Sequence, residues 1–312
     1  MPGQRLANLL IVGVPKAGTT SLFNYLAQHR DICASDPKST WYFSPVRYRE
    51  GDVAPPEEYA RHFRHCAGQR YAMEATPGLL YGGKPMTVAI QRLLGRPRIL
   101  VSLRNPTDRL WSYYNMVRNE QRIPPDLGIN AYIDKSLTLR SQGVDWKKDN
   151  SAYFGLSASM YAEHLGDWLD AFGPDLGLVF FEHLARDPAS TVAQVCDWLG
   201  IDSDVTATFR YAVENRTVQQ RHARVQRVAK AVNARGRAVF RRSPGLTRAL
   251  RTAYRGMTSA PPGDGLDPAT RQRLDAIFRP GNEALSRRLR ERGETRLPGW
   301  LTEVGAPGQP ER

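Results

Sequence analysis

Cysteine is scarce in this sequence: Cys33, Cys66 and Cys196 are the only three in 312 residues. An odd number at long spacings supports neither a disulfide framework nor a zinc knuckle. The thiols are therefore expected to be reduced, as in a cytoplasmic protein. Long apolar runs are missing too, and none approaches the roughly 18 residues that a membrane span needs. The early run Leu9-Leu10-Ile11-Val12-Gly13-Val14 is far shorter and lacks the small-residue cleavage site of a signal peptide. It reads as a buried strand. No collagen-like period, coiled-coil pattern or internal repeat is present.

Acidic residues are the next shortage, with 31 Asp+Glu against 44 Lys+Arg and a net charge of +13. Hydrophobic content of 41% supplies a substantial core, and 24% charged residues are too few for wholesale disorder. The charge excess implies an anionic partner: nucleic acid, an acidic membrane surface, or a phosphorylated or sulfated small molecule. Asp and Glu are absent altogether from 216–255, which carries twelve Lys/Arg interleaved with Val225, Val228, Val232, Val239, Phe240, Leu246 and Leu250. That pattern reads as a basic, mostly helical segment over 216–262. It offers a contact for an anionic membrane, with the protein peripheral to it. It has too few aromatics to stack nucleic-acid bases, so nucleic acid is an unfavoured partner.

Strand and helix signals alternate, which predicts an α/β fold with a central parallel sheet flanked by helices. Strands are predicted over 9–14, 70–74, 98–103 and 176–181. Helices are predicted over 20–28, 56–66, 85–94, 107–120, 157–172, 188–199 and 268–292, several opened by Pro or an N-cap residue. The stretch 121–153, with Pro124-Pro125 and no clear period, reads as a lid or acceptor-binding insertion. One domain is expected over 1–304, followed by a loose Pro/Gly-rich tail over 305–312. Glu58, His62, His65 and Cys66 are candidate metal ligands on one helix. Tyr59, Phe63 and Cys66 recur at helical spacing, so an ordinary buried helix face is the preferred reading and no metal site is assigned.

The run Gly13-Val14-Pro15-Lys16-Ala17-Gly18-Thr19-Thr20-Ser21 follows a strand and opens a helix. Backbone N–H groups at such a turn, with the positive helix end, make an anion site. Gly13 and Gly18 have the spacing of a Walker A loop, but Thr19 stands where its lysine belongs. The lysine lies inside the loop instead, at Lys16. This arrangement resembles the 5′-phosphosulfate loop of the sulfotransferases that use 3′-phosphoadenosine 5′-phosphosulfate (PAPS). A second strand–turn–helix run, from Arg104-Asn105-Pro106 to Ser112-Tyr113-Tyr114, resembles that family's 3′-phosphate element, with Arg104 and Ser112 at its phosphate-binding positions. Arg109 is read as a member of a structural ion pair, and Trp111, Tyr113 and Tyr114 as core or cleft wall. Tyr161 to Leu169, Leu178 to Glu182, Trp198-Leu199-Gly200 and Leu297 to Leu301 extend the resemblance, the last towards the heparan-sulfate-type branch.

The resemblance implies a three-layer P-loop-like fold and in-line transfer of a sulfuryl group from PAPS to a hydroxyl, less readily an amine, of a small-molecule, glycan or lipid acceptor. It implies no metal. Pro15, Lys16, Ala17, Gly18, Thr19, Thr20 and Ser21 would hold the 5′ end of PAPS, and Arg104 and Ser112 the 3′-phosphate. Arg221, with Asn215 and Arg216 as second choices, would close over that phosphate as in many bacterial relatives. Lys16 would stabilise charge on the leaving oxygen. Relatives carry Lys-Glu where this chain has Lys38-Ser39, so the customary base is missing. Glu74, in Glu74-Ala75-Thr76-Pro77, is the proposed replacement, with His29 and Asp36 as fallbacks. The alternatives are a P-loop nucleotide-dependent kinase and a basic nucleic-acid- or membrane-binding module.

Overall fold

A computed structural model describes residues 4–212, 219–220, 259–260 and 265–302. The first strand, β1 (Leu9–Gly13), is buried throughout and leads through a short loop into α1 (Thr19–Leu26). Then come β2 (Ile32–Ala34), α2 (Ser44–Tyr48), α3 (Pro56–Ala60) with a 3-10 turn at Arg61–Phe63, and β3 (Tyr71–Ala75). A 3-10 turn at Leu79–Gly82 opens α4 (Gly83–Leu94), and β4 (Arg98–Leu103) is followed by α5 (Pro106–Asn119). Next are α6 (Ile129–Ser141), α7 (Tyr161–Phe172), β5 (Leu176–Phe180), α8 (Phe181–Arg186) and α9 (Pro188–Leu199). A two-residue antiparallel pair joins β6 (Gln219–Gln220) to β7 (Ser259–Ala260). The described chain closes with α10 (Pro268–Glu291) and α11 (Gly299–Thr302).

The main sheet has the order β2-β3-β1-β4-β5, and every pairing is parallel. Successive β1 side chains face opposite sides, so one strand feeds two cores. Leu10 and Val12 join residues of α4, α7 and α10, among them Ile90, Trp168 and Leu289. Leu9 and Ile11 join Leu22 and Leu26 of α1 and Val192 and Val195 of α9. A third cluster, with Tyr114, Tyr132, Ile133, Leu274 and Phe278, packs α5, α6 and α10 together. No described helix is long and apolar enough to cross a membrane.

The α/β expectation holds, with four predicted strands in place. The sequence pattern does not show β2, which at three residues is too short for alternation. Nor does it show α6: polar residues break its apolar stripe, and only Tyr132, Ile133, Ser136 and Leu139 are buried. Two predicted helices are interrupted, 56–66 by its 3-10 turn and 157–172 by a turn at Ser157–Ser159 before α7. Cys33 and Cys66 form a disulfide, which corrects the expectation of reduced thiols for that pair. Their sequence separation of 33 conceals a contact that only the packing of the 3-10 turn against β2 creates. Cys196 is free and buried. Arg221, Asn215, Arg216 and the basic segment, apart from 219–220 and 259–260, lie outside the described residues, as does the 305–312 tail.

Candidate active site

The 14–18 loop bridges the carboxyl end of β1 and the start of α1. Lys16 and Gly18 have φ values of 74° and 77°. At Gly18 a Cβ would also lie 2.9 Å from Phe181 Cδ2, so backbone and space both demand glycine. Gly18→Ala should cost about 1–3 kcal/mol from the left-handed backbone alone. Denaturant unfolding checks this, and an unchanged midpoint would refute the constraint.

Three consecutive loop carbonyls are each held by a side chain from the β4–α5 unit. Arg109 Nε donates to Pro15 O at 3.0 Å, Arg104 Nη1 to Lys16 O at 3.3 Å, and Ser102 Oγ to Ala17 O at 2.5 Å. In a trans peptide the C=O and N–H point opposite ways. Anchoring the Pro15 and Ala17 carbonyls therefore turns the N–H groups of Lys16 and Gly18 to the other side. Those two amides, and the first-turn amides of Thr19, Thr20 and Ser21, have no acceptor among the described residues. The result is an anion-binding concavity at a helix N-terminus.

Cations surround it. Burial, then the neighbouring Arg104, holds the Lys16 ammonium below its ordinary pKa, with Arg109 adding to the effect. Arg104 lies 4.4 Å over the Phe181 ring, its own pKa lowered by burial. Tyr161 donates to the Arg104 carbonyl at 2.7 Å, and Asn105 caps α5 through the amides of Thr107 and Asp108. Ser112 is buried on the same helix, two turns beyond Arg104. Arg109 is not in an ion pair among the described residues. Besides Pro15 it donates to Gly155 O at 2.7 Å and Ser159 Oγ at 2.9 Å, and Nη2 is buried without a partner among the described residues. The expected carboxylate is replaced by neutral oxygens, because the 155–159 turn folds onto α5. Trp111 stacks on Tyr114, and Tyr113 and Tyr114 are buried, as a core or cleft wall requires.

Glu74 lies at the end of β3 and is 0% exposed. Thr40 Oγ1 donates to its Oε2 at 2.5 Å and Thr76 Oγ1 at 3.4 Å. Burial raises the carboxyl pKa, and the hydroxyl hydrogen bonds oppose that shift. The Tyr59 hydroxyl sits beside the carboxyl and is one of the groups that oppose the shift, although its geometry falls short of a full hydrogen bond to Glu74 Oε1, which has no other partner among the described residues. Glu74 is thus shut off from solvent, and half-buried Thr40 is the more accessible of the two bonded groups. Ser39 turns its hydroxyl away, to Ala75 O at 2.6 Å. Lys38 approaches the same carbonyl at 3.5 Å and the Phe23 ring of α1 at 5.8 Å, and burial pulls its pKa down to about 8. His29 is buried and saturated, between the Asp31 amide and the Asp202 carbonyl, and Asp36 is exposed. Neither belongs to the site.

Two residues escape the sequence reading. Thr40 lies within the run compared with relatives, but its hydroxyl matters only once β3 is placed beside it. Arg47, on α2, is 8% exposed and sits 5.0–5.5 Å from the rings of Phe154, Tyr48 and Tyr81. Its guanidinium forms no hydrogen bond or ion pair among the described residues. Tyr81 follows Leu80, the residue packed on Gly13 at the end of β1.

Known proteins resemble this chain in sequence and in fold. The model of the sulfotransferase domain family matches residues 6–280. Heparan sulfate glucosamine 3-O-sulfotransferase 3B1 of Mus musculus is 26% identical over 211 residues, covering 65% of this chain and 48% of that protein. Heparan sulfate glucosamine 3-O-sulfotransferase 6 of Homo sapiens is 29% identical over 210 residues, 66% of this chain and 56% of that protein. The chain spans about half the length of these curated relatives. The crystal structure of a sulfotransferase from Alicyclobacillus acidocaldarius superposes with a TM-score of 0.67 at 22% identity, over 95% of this chain and 99% of that one, and so shares the fold.

Proposed function

Because the chain belongs to the sulfotransferase domain family, we propose that it transfers a sulfuryl group from PAPS to an acceptor hydroxyl. The carrying observation is the grouping of Lys16, Arg104 and Arg109, none in an ion pair among the described residues, around loop amides that lack acceptors. Unneutralised buried charge is costly, and a polyanionic ligand offsets that cost. The residues present therefore fit the donor. Bound PAPS supplies the sulfuryl group. The loop amides with Lys16 hold the 5′ end and the charge that develops on the leaving oxygen. Arg104, with its planar guanidinium, and Ser112 hold the 3′-phosphate.

Calorimetry tests the second assignment. 3′-Phosphoadenosine 5′-phosphate should bind at least tenfold more tightly than AMP, and Arg104→Ala should erase most of that difference, since hydrogen bonds to charged groups contribute about 1.5–3 kcal/mol. Equal affinities for the two nucleotides would overturn the assignment.

The base is reached through Thr40. Its hydroxyl takes the acceptor proton while its own proton passes to Glu74 Oε2, so Glu74 acts from behind the cleft wall. Lys38 adds positive charge at the sulfuryl group. Its charged form is the useful one, so kcat/KM should fall as pH rises through about 8. Lys38→Arg should remove that alkaline limb. Stability should move the other way: between about 8 and the ordinary lysine value of 10.5 the unfolded chain binds more protons, so folding strengthens as pH rises. An alkaline limb unchanged in Lys38→Arg would discard this role.

Lys16 supplies the charge a metal would bring, so transfer by the disulfide-bonded enzyme should proceed unchanged in a chelator. The caged Arg47 favours an acceptor that carries an anionic group, on a small molecule, glycan or lipid. An acceptor screen with labelled PAPS, repeated with Arg47→Gln, identifies that group by the acceptors whose KM rises.

A further inference from the structure

We propose that, once the Cys33–Cys66 disulfide is reduced, Cys33, His65 and Cys66 form a binding site for a thiophilic divalent cation of the zinc type. Cys33 Sγ, Cys66 Sγ and a His65 ring nitrogen all lie within 4.8 Å of one another. Zinc–sulfur and zinc–nitrogen bonds of about 2.3 and 2.0 Å place tetrahedral ligand atoms roughly 3.5–3.8 Å apart. Parting the two sulfurs by small side-chain rotations reaches that spacing without moving the strand.

The histidine is already oriented for the task. Its Nε2 lies 2.9 Å from the Ala34 carbonyl, which selects the tautomer with hydrogen on Nε2 and keeps the lone pair on Nδ1. A ligating histidine characteristically donates its other N–H to a backbone carbonyl in this way. Ala34 is the neighbour of Cys33 on β2, so one strand supplies both a ligand and the partner that fixes another. Two thiolates neutralise the dication, and water completes four ligands.

Access and exclusivity agree. His65 is exposed, Cys66 half-buried and Cys33 buried. A cavity of about 420 Å³, lined among others by Arg5, Ala60, Phe63 and Arg64, opens onto Cys66. His62, whose Nδ1 lies 3.1 Å from the Asp36 carbonyl, is not part of this cluster of ligand atoms among the described residues. The chemistry balances with a dithiol reductant: the S–S bond takes up two electrons and two protons, and the dithiol becomes a disulfide. Cation binding then releases the two thiol protons.

The site is tested on the full chain, reduced with a phosphine that offers zinc no competing thiol. Titration of zinc against a chromophoric chelator should show one equivalent bound by the reduced protein and none by the oxidised protein. Cobalt in place of zinc should give a thiolate charge-transfer band. His65→Ala leaves the cysteines and the core intact, and it should weaken binding about tenfold or more. No zinc bound after reduction, equal binding before and after it, or affinity unaltered by His65→Ala would each overturn the site. These readouts do not involve sulfuryl transfer.

Discussion

Lys16→Ala should lower kcat by about 10²–10³-fold, the loss typical when one donor is withdrawn from a developing oxyanion. Its affinity for 3′-phosphoadenosine 5′-phosphate should fall by roughly tenfold or more, as for a lost charge-assisted hydrogen bond. The same substitution should not weaken the fold. Lys16 is held below its ordinary pKa by burial and by Arg104 and Arg109, so the folded chain tolerates this charge rather than gaining from it. Removing it relieves repulsion, and the thermal midpoint should hold or rise. Collapse of turnover beside an undiminished midpoint separates a group kept for chemistry from one kept for structure. Wild-type kcat in Lys16→Ala would remove Lys16 from the reaction.

The second large effect concerns Thr40 and Glu74. Either Thr40→Val or Glu74→Gln should lower kcat by about 10²–10⁴-fold, the range for a positioned proton acceptor. The double variant should be little worse than the single ones, because both interrupt one proton path. The amide introduced by Glu74→Gln retains an oxygen to accept from Thr40, so the donor's KM should stay near its original value. Burial raises the Glu74 pKa, so kcat/KM should fall on the acid side at a pH above the ordinary carboxylate range. That acid limb should vanish in Glu74→Gln. If Glu74 merely anchors Thr40, stability will drop while the limb persists.

What the sequence discloses follows from where its information is local. β4, at Arg98–Leu103, is predicted at its observed bounds, because a short branched run between Pro97 and the Asn105-Pro106 turn has few other solutions. The Gly13-to-Ser21 loop is legible because glycine, lysine and hydroxyls coincide at a strand end. Arg104 is singled out, with Ser112, by resemblance to a family 3′-phosphate element, and the structure brings it to Lys16. The remainder depends on contacts between distant segments. Thr40 meets Glu74 across 34 residues, and Arg109 meets Gly155 across 46. Cys33 meets Cys66 only because a 3-10 turn, invisible in the helical pattern of 56–66, ends where it does. Glu74 is identifiable as a carboxylate at a strand end, but its enclosure is not, since Tyr59 and Thr40 close over it from elsewhere.

Arg109 divides one guanidinium between the Pro15 carbonyl and the Gly155–Ser159 turn. Displacing that turn alters the hold on the loop, and a ligand drawing on the loop alters the hold on the turn. Thermodynamic linkage makes the two effects equal. If an acceptor leaning on the 155–159 side tightens 3′-phosphoadenosine 5′-phosphate by some factor, the nucleotide must tighten the acceptor by the same factor. Spent nucleotide would then retain acceptor in an unproductive complex, and inhibition at high acceptor concentration is the expected kinetic form of that shared arginine.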